Sequence, residues 1–174
     1  LAGAAAVAVA ATGALDVAPA LAAAATEDLL PADPIAHLLR RATYGATPAT
    51  LAEAAKLGVA GWLDKQLAPA AIADTALDAL LTRLPLANAD VATVRAKLPL
   101  HSYDAFGQLG RATVARAIWS NRQLFEVTAA FWANHLHVAA PSSGVWDSRP
   151  DYDRMLRTHT FGRFADMLKA SARH

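Results

Sequence analysis

The chain has 174 residues and a net charge of +1, from 16 basic and 15 acidic side chains. Hydrophobic residues make up 55%, but 45 residues are Ala, which raises the percentage without supplying large core side chains. The near-even charge excludes a basic stripe for nucleic acid, and the lack of Cys excludes disulfide scaffolds, Cys-ligated zinc and thiol catalysis.

Residues 1–25 carry one charge, Asp16, and 14 of the Ala. The apolar run over 1–11 is too short to cross a bilayer, which takes about 20 apolar residues. Small residues then alternate at Ala18, Ala20 and Ala22, around Pro19 and Leu21. This is the order of an h-region followed by an A-x-A cleavage region in a secretory signal peptide. The positive n-region is missing, as in a chain cut ahead of Leu1. The expected organisation is a signal-peptide remnant over 1–25 and the front part of a helical domain over 26–174. The mature protein is then exported, to the extracellular space or the cell envelope, with no integral membrane segment after cleavage. A disordered Ala-rich linker or a helical membrane anchor is the competing reading of 1–25.

From residue 33 onward the punctuation is helical. Asp33-Pro34 places an N-cap before a Pro at the first helical position. Ile35, Leu38, Leu39 and Ala42 follow on one face, and Gly45 closes the segment. Thr47-Pro48 repeats the start, with Gly58 as its stop. A short piece follows with Trp62, Leu63 and Leu67, closed by Pro69. Helices are predicted over 72–84, 90–98 and 106–119. Ser120 and Gln123 read as a capping box for a helix running to about Val138. Pro141, Ser142, Ser143 and Gly144 mark a loop. Helices over 151–160 and 163–172 complete the chain. No segment alternates long enough to be a strand, so the expected fold is all-α, an irregular multi-helix domain incomplete at its C-terminus. Chain missing beyond His174 is expected to pack on the last helices, whose apolar stripe is otherwise left exposed.

Projected at helical spacing, Leu124, Val127, Phe131, His135 and Val138 form one stripe, and Arg122, Glu126, Ala130, Ala133 and His137 the opposite face. His135 therefore points inward and His137 outward, and the pair cannot chelate. On the next helix Tyr152, Met155, Leu156 and His159 form the apolar stripe, with Asp153 and Arg157 off it. Two inward imidazoles need partners, because an unpaired buried polar group costs about 1–3 kcal/mol. They are satisfied core histidines, or part of a metal or cofactor site, or a general base in a cleft. Asn134, beside His135, belongs to the same candidate site. Arg40 and Arg41 either clamp an anion or only complement the dipole at a helix C-terminus. Asp147, Asp151 and Asp153 could supply calcium oxygens, though acidic residues at a helix N-terminus explain Asp151 and Asp153 more simply. No Gly-rich phosphate loop, H-E-x-x-H or nucleophile elbow is present.

Three blocks carry a family resemblance. The first is His37-Leu38-Leu39-Arg40-Arg41-Ala42-Thr43-Tyr44-Gly45-Ala46-Thr47-Pro48, continued by Gly58-Val59-Ala60-Gly61-Trp62-Leu63. The second is Gln123-Leu124-Phe125-Glu126, running into Phe131-Trp132-Ala133-Asn134-His135-Leu136. The third spans Tyr152-Asp153-Arg154-Met155-Leu156-Arg157-Thr158-His159-Thr160-Phe161-Gly162-Arg163-Phe164. In order and spacing these resemble the front portion of the bacterial domain-of-unknown-function 1800 family. The resemblance implies a largely helical, exported bacterial protein and carries no established activity. Members often have a second His where this chain has Ala133, a departure that weakens a His-rich site on that helix. Two functional classes follow as expectations. One is a metal-dependent or His-assisted enzyme using Asn134, His135 and His159, completed by further chain. The other is a non-catalytic cell-envelope binding module in which both His are packing residues.

Overall fold

Pro, Thr and Asp at helix starts set most of the element boundaries. The structure is a computed structural model and describes residues 33–139 and 144–174. The expected signal segment over 1–25, its boundary at 26, and loop residues 141–143 lie outside the described residues. Eight α-helices follow in order: α1 (Pro34–Ala42), α2 (Pro48–Gln66), α3 (Thr75–Leu81), α4 (Val91–Lys97), α5 (Asp104–Trp119), α6 (Gln123–His135), α7 (Arg149–Thr158) and α8 (Phe164–Arg173). A single 3-10 turn, Pro69–Ala71, precedes α3. The described residues contain no strand, so the all-α expectation holds.

Side-chain caps fix two of the starts. The Thr47 side chain accepts from the Thr50 backbone N–H while the Thr50 hydroxyl accepts from the Thr47 N–H, a reciprocal cap. Asp90 caps α4 by accepting from the Thr93 N–H at 2.7 Å. Gly58 interrupts α2 as predicted, but the helix resumes at once instead of ending. Its backbone sits at φ 70°, ψ 173°, a conformation that only glycine adopts cheaply.

The Ser120–Gln123 cap forms differently from the sequence expectation, and α6 begins three residues later, at Gln123. The Ser120 hydroxyl donates to Asp74 Oδ2 at 2.6 Å and accepts from the Arg122 N–H at 3.0 Å. The Gln123 amide donates to the Ser120 carbonyl at 2.7 Å instead of accepting from the Ser120 N–H, which donates to the Arg116 carbonyl. Tertiary partners explain the change. Asp74 also accepts from the Asn121 N–H, and Gln123 Oε1 accepts from the Tyr44 N–H. Gln66 bridges the same junction, donating to the Asn121 carbonyl and accepting from the Leu124 N–H. These buried polar groups are all paired, as burial demands.

The apolar core divides into three clusters. Leu39, Ala42, Ala54 and Trp62 form one, joined by Leu124. Leu86, Ala89, Val94, Ala105 and Trp146 form the second. Tyr152, Leu156 and Met167 form the third, with Trp132, Leu136 and Met155 against it. On α8, Met167 is buried while Phe164 and Leu168 are exposed.

Candidate functional site

The orientation of α6 differs from the expectation and creates the site. Its buried residues are Gln123, Glu126 and Ala129, on or beside the face read as solvent-facing. Phe131 and His135, centred in the predicted apolar stripe, are exposed. Packing on both flanks produces this turn. Leu124 joins the Trp62 cluster, while Trp132, Ala133 and Leu136 join the Tyr152 cluster. The small side chains of Ala129, Ala130 and Ala133 leave space beside α5 and α7, and a carboxylate occupies one end of it.

That carboxylate is Glu126, only 5% exposed. Arg157 on α7 clamps it bidentately, Nη1 to Oε2 at 2.8 Å and Nη2 to Oε1 at 2.7 Å. Such a planar fork is the strongest ordinary ion-pair geometry. Arg157 also lies over the Phe125 ring, 4.9 Å from its centroid. Burial works against the charged guanidinium, but the hydrogen bonds and charge of Glu126, with Asp153 and Tyr44, outweigh it and raise the Arg157 pKa. The Tyr44 hydroxyl donates to the Glu126 carbonyl at 3.3 Å. Burial first, then the Glu126 charge, push that phenol above its usual range against the pull of Arg157.

A looser pair lies alongside. Arg116 of α5 approaches Asp153 of α7 with Nη1 to Oδ2 at 3.7 Å, too long for a hydrogen bond. Both atoms are buried and lack a hydrogen-bond partner among the described residues, as does Nη1 of Arg149. Burial holds the Asp153 carboxyl above the usual carboxylate range, even though Arg157, Arg116 and Arg149 pull it down. Burial, helped by the like charge of Arg157, lowers the Arg116 pKa against Asp153 and Glu126. A guanidinium starts so high that it stays protonated.

These groups line one cavity of about 340 Å³ between α5, α6 and α7, within the size range of small-molecule pockets. Asn134 and His137 line it too, with Ala129, Ala130 and Ala133 as its small-residue wall. Three arginines thus face two carboxylates in a confined space. The arrangement is suited to hold a compact anion by charge-assisted hydrogen bonds.

Of the residues singled out from sequence, Asn134 lines this cavity. His135 stacks on Phe131, with centroids 5.7 Å apart, and lies edge-on to Trp132 and Phe164 on the surface. His159 is the half-buried residue that ends α7, with its carbonyl accepting from the Gly162 N–H at 2.8 Å. Neither imidazole bonds to Tyr152, whose hydroxyl is shared between the Leu136 carbonyl and the Ser171 hydroxyl, both at 2.8 Å. Arg41 is exposed in the last turn of α1. The structure therefore does not bring Asn134, His135, His159 and Arg41 together. Among the described residues no group of three or more His, Cys, Asp or Glu is placed to hold a metal ion. The three aspartates disperse: Asp147 pairs with Arg95, Asp151 with Arg154, and Asp153 enters the cleft.

The cleft residues had a sequence signal. Arg149, Asp153 and Arg157 stand at i, i+4 and i+8 and so share one face of α7. Arg116 continues the buried stripe of Ala105, Leu109 and Ala112 on α5. The pairing of Arg157 with Glu126, 31 positions away in the chain, has no local signal. No helix of the described residues is long and apolar enough to cross a membrane. No curated protein and no solved structure gives a significant match. The model of the family described as "protein of unknown function (DUF1800)" matches residues 37–174, a span that holds the cleft and every helix from α2 onward, and the chain belongs to that family.

Proposed function

We propose that the protein is an exported binding module whose ligand is a small anion held in the cleft between α5, α6 and α7. The observation that carries this reading is the charge balance of the cavity, three guanidiniums against two carboxylates. Arg157 is committed to Glu126, while Arg116 and Arg149 keep buried Nη1 groups without hydrogen-bond partners among the described residues. The Asp153 carboxylate stands 3.7 Å from Arg116 Nη1, too far to satisfy it by a hydrogen bond. A carboxylate or phosphate accepts from guanidinium nitrogens in the required geometry. Export rests on the apolar, small-residue segment over 1–25, and a location outside the cytoplasmic membrane follows from it.

Calorimetric titration with succinate and with inorganic phosphate tests the binding reading. The expected result is saturable one-to-one binding of at least one of them. Arg149→Gln should weaken it about tenfold or more, the worth of a charge-assisted hydrogen bond. No saturable binding of either anion, or undiminished binding by the variant, overturns the reading. Recovery of the gene product in the cytosol on cell fractionation overturns export.

A second reading, a His-assisted enzyme, has one observation in its favour. Asp153, with its raised pKa, shares the cavity with His137, as a general acid and base must. It requires Asp153→Asn to abolish turnover while anion affinity stays within a few-fold of wild type. The binding module requires no turnover in either protein.

A further inference from the structure

The helix that supplies Arg116 to the cleft turns another face toward α3. There Val114, Ala115 and Trp119 of α5, with Leu80 and Leu84, form a groove of about 480 Å³. Val114 and Trp119 are each more than half exposed, at 57% and 56%, and Ile118 extends the patch at 60%. Large apolar side chains concentrated on one helix face in water mark a binding surface. Arg83 and Arg111 also line the groove. Its wall is almost wholly apolar and both arginines are exposed, the arrangement in which alkyl stems cover apolar surface and guanidiniums reach water. Neither guanidinium is in an ion pair among the described residues, and no acidic side chain lines the groove.

We propose that this groove binds a single fatty-acid anion, with the acyl chain along Val114 and Trp119 and the carboxylate at Arg83 and Arg111. The charge pattern selects this occupant. A second copy docked by two-fold symmetry brings the same patch against itself. That gathers four guanidiniums with no carboxylate from the groove between them, a repulsive arrangement. A membrane surface is read by clusters of four to eight basic residues, and two are present here. One amphiphile with one negative head matches an apolar trough with a cationic mouth. The inference does not rest on the cleft, which shares only Gly110 with the groove and takes its other α5 residues from Phe106, Leu109, Thr113 and Arg116.

Calorimetric titration of the whole chain with octanoate, decanoate and dodecanoate below micelle formation tests it. Each buried methylene contributes about fourfold in affinity, so each two-carbon extension should strengthen binding roughly fifteenfold. The Arg83→Gln/Arg111→Gln double variant should weaken decanoate binding at least fivefold and leave decanol binding unchanged. Val114→Asn, at an exposed site and with an unchanged circular-dichroism spectrum and urea midpoint, should lose both ligands. Arg149→Gln should bind decanoate as wild type does, which separates the groove from the anion cleft. A flat response to chain length overturns the proposal. So does a double variant that binds decanoate normally, decanoate binding lost on Arg149→Gln, or binding to vesicles of anionic phospholipid with none to monomeric decanoate.

Discussion

A carboxylate moved from water into a protein interior needs a partner of opposite charge, and Glu126 has one in the two-pronged contact of Arg157. Both side chains are largely buried, at 6% and 19% exposure. Glu126→Gln leaves the guanidinium without its counter-charge and is expected to lower stability by about 3–5 kcal/mol. Urea denaturation measures this, and Glu126→Leu combined with Arg157→Met should recover most of the loss. A single variant as stable as wild type contradicts the pairing. Asp153 behaves in the opposite sense. Its folded pKa lies above the usual value of 3.8 because burial disfavours the charge. Between the unfolded and the folded value the native state holds the extra proton, so stability falls as pH rises through that window. Denaturation midpoints across this range should show the decline in wild type and lose that part of it in Asp153→Asn. An unchanged pH profile in the variant contradicts the raised pKa. The residue scale is also where sequence reading was weakest. Glu126 looked like a solvent-facing charge because Leu124, Val127 and Phe131 outweigh three Ala in any measure of apolar stripe. What buries Glu126 is a guanidinium on another helix, and no local pattern encodes that partner.

At the scale of elements, helix existence and rough extent were legible because their signals are local. Thr47 with Pro48 and Asp90 start helices where the sequence placed starts. Gly58 was legible as a break but not as a kink, since continuation depends on how Trp62 is drawn into the Leu39 and Ala54 cluster. An added Cβ at Gly58 meets nothing within 4 Å among the described residues, so the cost of a substitution there comes from the backbone conformation. Gly58→Ala should lower stability by about 1–3 kcal/mol, seen as a lower urea midpoint at unchanged slope. Gly61, three residues on, is helical, and its added Cβ makes an ordinary 3.4 Å contact with Leu57. Gly61→Ala should instead stabilise, by about 0.4–1 kcal/mol. Equal effects at the two positions contradict the assigned kink. The Ser120 cap was legible in composition but not in geometry. Asp74, 46 positions earlier, receives the Ser120 hydroxyl proton, and the hydroxyl oxygen accepts from the Arg122 N–H in place of the Gln123 N–H of a capping box.

For the whole molecule, the all-α class followed from uninterrupted helical punctuation. The three apolar clusters and the polar junction of Gln66, Asp74, Ser120 and Gln123 did not, because they are set by contacts distant in sequence such as Gln66 with Asn121. The candidate site shifted for the same reason. Sequence periodicity drew attention to His135 and His159, whereas the cavity gathers Arg116, Glu126, Arg149, Asp153 and Arg157, with Asn134 the shared member. Arginine-selective NMR of the protein titrated with succinate and with phosphate tests the anion cleft most directly. The side-chain N–H signals of Arg116, Arg149 and Arg157 should shift together and saturably, while those of the surface residues Arg40, Arg41 and Arg163 stay in place. Shifts spread evenly over all the arginines, or none at the three cleft residues, would contradict an anion site between α5, α6 and α7.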